Sequence, residues 1–217
     1  SLYSRESVLR AYGLEAHVCY LGVDTDIFVD RNGQREDFVI GVGAFAPEKN
    51  IAAVIQALAT LPEPRPRLVW VGNTAAARYV ETLRELAVTL GVLYEPRLNA
   101  GDADLVDLLN RAACMVDAPR LEPFGLAPLE ANACGLPVVA VAEGGVRETV
   151  VDGVNGLLVG HTSELPAAIE RLLGDPALAR RLGRQGSERV RERWSLPGAI
   201  DRIEQALLAA AAHSTVH

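Results

Sequence analysis

Six short apolar runs separated by stretches of helix length constrain this chain more than any other feature. They are DFVIGVG (37–43), PRLVWVG (66–72), GVLYE (91–95), CMVDA (114–118), LPVVAVA (136–142) and GLLVG (156–160). Helices are expected between them near 49–60, 76–90 and 102–112, and again around Glu130. Strands that alternate with helices build βαβ units and hence a parallel sheet. Runs that are apolar throughout, not at every second position, fit strands covered on both faces. The expected fold is α/β: a Rossmann-like, doubly wound parallel sheet of about six strands with a helical C-terminal tail. That tail spans 162–213 and breaks at Gly174-Asp175-Pro176 and Ser195-Leu196-Pro197. Ahead of the first run, residues 1–15 are expected to form a short amphipathic helix ending near Gly13. AHVCYLG (16–22) is then expected as a strand and 22–37 as a polar, turn-rich linker.

The chain has 217 residues, 49% of them hydrophobic, enough for a sizeable core in one large domain or two small ones. A net charge of -7 argues against a broadly basic, nucleic-acid-binding surface. The arginine-rich RVRERW (189–194) reads as a solvated helix face. Cys19, Cys114 and Cys134 are odd in number, widely spaced and set among apolar neighbours, which predicts buried free thiols in a reducing cytosol. His17, His161, His213 and His217 form no ligand-like cluster and read as scattered surface residues. No apolar run approaches the ~18 residues of a membrane span, and the N-terminus has no signal-peptide pattern. These features together read as a cytoplasmic chain.

Ligands on open α/β sheets bind at the carboxyl ends of the strands. Those ends are Gly43-Ala44-Phe45, Gly72-Asn73-Thr74, Pro96-Arg97-Leu98, Ala118-Pro119-Arg120 and Glu143-Gly144-Gly145. The stretch EPFGLAPLEANACGLPVVA (122–140) places two glutamates there, Glu122 and Glu130, in apolar company. A carboxylate in such a setting is costly to bury unless something pairs with it. Three readings are open: a glycosidase acid/base pair, which needs carboxyls about 5–9.5 Å apart; structural salt bridges; or acceptors for the hydroxyls of a sugar. Gly125, Leu126 and Ala127 offer free amides at a helix start, an anion site by geometry and dipole. Lys49, just past the first run, is either solvated or reaches a phosphate. Gly144-Gly145 is a plain turn or a loop that closes on a ligand. No GxGxxG fingerprint follows the first run, which argues against a nicotinamide enzyme.

Four motifs in order carry a resemblance over nearly the whole chain: GVDTDIF (22–28), GVGAFAPEKN (41–50), EPFGLAPLEANACGLPVVA and GGVRETVVDGVNGLLV (144–159). The chain resembles the C-terminal, donor-binding domain of retaining glycosyltransferases of the two-domain GT-B architecture, in the "group 1" family that includes sucrose synthases and bacterial mannosyltransferases. The resemblance implies a nucleotide sugar (UDP-, GDP- or ADP-linked) as donor and no metal. Lys49 would hold the diphosphate and Glu130 the ribose hydroxyls. Glu122, with the backbone of Phe124, Gly125 and Leu126, would hold sugar and phosphates, Glu122 acting as a positioning and electrostatic group. Gly72 and Arg97-Leu98 would lie by the base, with Gly144 and Gly145 lining the donor. Attack would come from the front face, the leaving phosphate helping to take the acceptor's proton.

Two departures from the family pattern matter. Ala44 stands where the family usually has an arginine that shares the diphosphate. A hydrogen bond to a charged group is worth ~1.5–3 kcal/mol, so its absence corresponds to about 10- to 150-fold weaker donor binding. Second, family members carry an N-terminal acceptor-binding domain of similar size, which is not expected among these 217 residues. Residues 1–36 read as the junction with it, 37–194 as the donor domain, and 195–217 as a helix crossing back to it or self-associating through Ile200, Ile203, Leu207 and Leu208. Alone, such a chain is expected to bind donor and to transfer sugar poorly. Its parent would be peripheral to a membrane where the acceptor is a lipid. The rival reading is a non-catalytic GT-B-like binding or interaction module. No motif supports a phosphorylase, and a sugar-nucleotide epimerase would need the other domain too.

Overall fold

The computed structural model describes residues 1–214. The core is a 6-stranded sheet in which every neighbouring pair is parallel. After helix α1 (Leu2–Tyr12) and a long connection, β1 (Phe38–Val42), α2 (Ile51–Ala59), β2 (Arg67–Gly72), α3 (Ala77–Leu90) and β3 (Tyr94–Leu98) step outward on one side. Helix α4 (Asp102–Arg111) then brings the chain back to β4 (Cys114–Asp117) on the other side of β1. From there α5 (Leu126–Ala133), β5 (Val138–Val141), the short α6 (Val146–Thr149) and β6 (Gly156–Val159) step outward again. The resulting order is β3-β2-β1-β4-β5-β6. The winding direction reverses between β1 and β4, and a crevice opens at such a switch point.

The continuous apolar runs are explained by two cores. Val39, Leu68, Trp70, Cys114 and Val116 face α2, α3 and the later α7 (Leu165–Gly174). Phe38, Ile40, Val69 and Met115 face α4 and α5 through Val106, Leu109, Ala131 and Cys134. The tail is helical and broken where expected, into α7, α8 (Pro176–Arg193) and α9 (Leu196–Ser214). Asp175 caps α8 by accepting from the Leu178 amide at 2.9 Å, with Pro176 in the first turn. In RVRERW, Val190 and Trp194 are buried while Arg191 and Arg193 face solvent. On α9, Ile200, Ile203, Leu207 and Leu208 are exposed.

Several expectations are corrected. Residues 16–22 form no strand. The segment runs extended beside the α8–α9 junction, where Val23 makes a lone bridge to Ser195 and Tyr20 stacks edge-on against Trp194 at 5.1 Å. It lies at no open sheet edge, so its apolar residues pack without a ladder. The third strand starts at Tyr94, not Gly91, because Gly91 is the left-handed cap that ends α3. Arg97 and Leu98 are therefore inside β3. Helix α1 buries no residue. It docks by its end, the Leu2 and Tyr3 amides donating to the Glu148 carboxylate at 2.8 and 3.0 Å. Cys114 and Cys134 are buried free thiols, but Cys19 is only half-buried. His17 and His161 are exposed, whereas the side chain of His213 and all of His217 lie outside the described residues.

A closed amide network pins α5 to the turn before β6. Asn132 Nδ2 donates to the Leu136 and Asn155 carbonyls at 3.0 and 2.9 Å, and Asn155 Nδ2 donates to Asn132 Oδ1 and the Thr149 carbonyl at 2.7 and 2.9 Å. Both asparagines are buried. Asn132→Ala strands several of these groups at once and should cost about 2–4 kcal/mol in urea denaturation. A change below about 0.5 kcal/mol would show that the network does not hold α5.

Candidate functional site

Lys49 ends a 3-10 turn, Pro47–Lys49, that directly follows β1. The loop is held from the neighbouring strand: Trp70 Nε1 donates to the Gly43 carbonyl at 2.9 Å and the Phe45 amide to the Thr74 carbonyl at 2.7 Å. Lys49 Nζ lies 2.6 Å from Glu122 Oε2, with the two side chains 29% and 13% exposed. Glu122 comes from the loop after β4, so this ion pair spans the switch point. Its other oxygen accepts the Gly125 amide at 3.3 Å. One of the three expected anion-binding amides is thus engaged by Glu122, while those of Leu126 and Ala127 at the start of α5 have no partner.

Backbone packs on backbone around Glu122. The Gly145 amide donates to the Glu122 carbonyl at 2.7 Å, and a Cβ on Gly144 would lie 2.1 Å from that same oxygen. Gly125 is left-handed at φ 92, and a Cβ there would come within 2.8 Å of Thr149 Oγ1. The Gly144-Gly145 pair is therefore a loop packed onto the site that leads into α6. The Phe124 side chain points away, into a cluster with Trp194 and Tyr20, so its backbone alone is left beside Glu122.

Glu130 sits in the second turn of α5, half-buried and without an ion pair. Burial, and then the charge of Asp102 at the start of α4, push its carboxyl up to about 7. Glu122 is instead engaged by Lys49 and the Gly125 amide, so the two glutamates have different partners. On the other side of Lys49, Gly72 packs against the Gly43 carbonyl and pairs with Leu98 across β2 and β3. Leu98 is exposed at 47%, while Arg97 Nε is tied to Glu95 at 2.5 Å. The sites read from the sequence thus form a continuous rim from Leu98 through Gly72, Lys49 and Glu122 to Gly144, with Glu130 deeper along α5.

One residue of this rim escaped the sequence reading. Asp117 ends β4 and is buried, with Oδ2 lacking any hydrogen-bond partner. Burial, and then the charge of Glu122, push its carboxyl up to about 7 against the pull of Lys49. The available signal was a lone carboxylate inside a run expected to be buried on both faces. Among the described residues no group of three or more His, Cys, Asp or Glu could hold a metal, and no helix is long and apolar enough to cross a membrane. A cavity of about 570 Å³ does open at the opposite end of the sheet, beside Asp37, Ala113 and Pro137. It contains none of the rim residues and lies at the amino ends of the strands, where such sheets do not usually bind ligands.

Asp117 and Glu130 give the site a pH signature. A carboxyl whose folded value is raised binds its proton more tightly when folded, so stability is lost as pH rises from the unfolded range near 4 through about 7. Asp117→Asn and Glu130→Gln should therefore be more stable than the parent at pH 8, each by on the order of 1 kcal/mol, and this advantage should shrink as pH falls and disappear near pH 4. Thermal melting across that range checks it. Equal pH slopes for parent and variants would contradict it.

Comparisons with known proteins bear on the family and the fold. Residues 22–189 match the family described as glycosyl transferases group 1. A GDP-mannose-dependent alpha-(1-6)-phosphatidylinositol monomannoside mannosyltransferase of Mycolicibacterium smegmatis is 33% identical, over 89% of this chain and 57% of its own length. Sucrose-phosphate synthase of Thermosynechococcus elongatus superposes with a TM-score of 0.82 at 28% identity, over 99% of this chain and 57% of that one. The Anabaena protein HepE, in complex with UDP and glucose, superposes at 0.85 with 25% identity, over 96% of this chain and 62% of that one. The chain spans about half the length of the relatives it matches. With the motifs in order, the parallel sheet and the rim at its switch point, the chain belongs to the group 1 family of GT-B glycosyltransferases.

Proposed function

We propose that this chain is the donor-binding half of a nucleotide-sugar-dependent retaining glycosyltransferase, which transfers sugar only together with an acceptor-binding domain. The observation that carries the reading is the Lys49–Glu122 ion pair across the switch point, beside two unpartnered amides of α5. An ion pair of this kind is a cation held in reserve. A diphosphate displaces Glu122 from Lys49, takes the Leu126 and Ala127 amides, and leaves Glu122 free to position the sugar. Glu130 accepts from the ribose hydroxyls. Gly72 and the Arg97-Leu98 end of β3 flank the base. The chemistry needs no metal from this chain, since Lys49 and the helix start supply the charge that the leaving diphosphate requires.

A relative named for GDP-mannose and a similar structure solved with UDP and glucose support a nucleoside diphosphate sugar as ligand. The open form of the rim fits a site that a second domain completes, because orienting an acceptor requires a second wall. The exposed apolar face of α9 is the surface on which we place that domain.

Calorimetric titration with UDP-, GDP- and ADP-linked sugars tests the proposal. Binding of one of them is expected. Lys49→Ala should weaken it by about 10- to 100-fold, matching a lost charge-assisted contact, and Glu130→Ala by about tenfold. Ala44→Arg should tighten binding by about tenfold by restoring a second cation to the diphosphate. No binding of any of the three at millimolar concentration, or binding indifferent to all three substitutions, would refute the proposal.

A further inference from the structure

We propose that Asp117 is a positioning residue of the donor site that carries a proton when the diphosphate occupies Lys49, so that donor binding draws a proton from solution. The inference rests on the donor-site reading above and extends it to a residue outside the family motifs. Among the described residues, Asp117 is the carboxyl with an oxygen both buried and unpartnered. It ends β4 five residues before Glu122, and the charges of Glu122 and of its ion-pair partner Lys49 both act on it, so that one cation serves two carboxyls.

The consequence is electrostatic. The diphosphate of a nucleotide sugar brings two negative charges to Lys49. With Asp117 ionised, the single cation would serve two carboxylates and the ligand in a poorly solvated place, where like charges repel strongly. With Asp117 protonated, one of those repulsions is gone and its O–H can donate a hydrogen bond. In the free chain the group already stands near the middle of its titration at neutral pH, at about 7, and an arriving anion can only raise it further.

Other charges do not explain the effect away. The flanking strands β1 and β5 carry no charged residue. Helix α5 brings Glu130, α4 brings Asp102, Asp104, Asp107 and Arg111, and α6 brings Arg147 and Glu148. Of the groups around it, Glu122 and Lys49 are the ones that act on Asp117. Glu130 also titrates near 7, but with the opposite sign. A carboxylate that accepts ribose hydroxyls must lose its proton on binding, so Glu130 releases protons where Asp117 takes them up.

The test is proton counting by calorimetry. UDP-glucose and GDP-mannose are the probes, because their phosphates do not titrate in this range. Each is titrated into the chain at about pH 7.5 in two buffers of different ionisation enthalpy. The difference in protons taken up between the parent and Asp117→Asn isolates Asp117 from Glu130. It is expected to be about half a proton or more per ligand bound, with Asp117→Leu giving the same difference. Between about pH 6.5 and 8.5 the parent should lose about 3- to 10-fold more affinity than either variant. An equal proton count in parent and variants, with binding intact, overturns the proposal alone. Binding of neither probe overturns the donor-site reading and this proposal with it. A purely structural Asp117 would change affinity at every pH and leave the proton count where it was.

Discussion

A parallel sheet covered on both faces has little room for polar chemistry except at the ends of its strands. Here the strand order reverses between β1 and β4, and the loops leaving those two strands are forced to diverge over a shared crevice. Lys49 leaves β1 and Glu122 leaves β4, and their 2.6 Å contact closes the crevice. The other rim residues are arranged by that contact. Gly125 is held by the second oxygen of Glu122, Gly145 by its carbonyl, and Gly144 is a glycine because nothing larger fits against it. The buried asparagine network then holds α5, and with it Glu130, at a fixed height beneath the rim.

The site departs from what stability alone would select. Two carboxyls, Asp117 and Glu130, are drawn out of water without an ion pair of their own, and both are raised to about 7. Two helix amides stay unpartnered beside them. Unpaired polar groups in a closely packed domain commonly mark a place where a ligand supplies the missing partners. The nucleotide sugar proposed as donor would supply them: hydroxyls for the carboxylate of Glu130, phosphate oxygens for the amides and for Lys49. That complementarity is what joins the family membership to the donor site proposed for this chain.

Much of the sheet was legible because continuous apolar runs between helical stretches admit few other arrangements. The same signal misled where its context was missing. AHVCYLG looks like a strand in isolation, but it has no sheet edge to join and packs beside Trp194 instead. GVLYE looked like the third strand because Val92 and Leu93 are apolar, although Gly91 still belongs to the cap of α3. In the site, Glu130 was legible as a lone charge on an apolar helix. Lys49 was ambiguous until its resemblance to a family motif gave it a role. Asp117 was hidden because it ends a strand whose other residues are all apolar, and Asn132 and Asn155 because nothing local shows that two distant asparagines bond to each other twice.

The most direct measurement is a crystal structure of the chain with a nucleotide sugar bound, UDP-glucose or GDP-mannose. The account predicts the diphosphate over the β1–β4 switch point, with Lys49 Nζ about 3 Å from a phosphate oxygen and parted from Glu122, and the ribose against Glu130. A nucleotide seated instead in the cavity at the amino ends of the strands, with Lys49 and Glu122 still 2.6 Å apart, would contradict it.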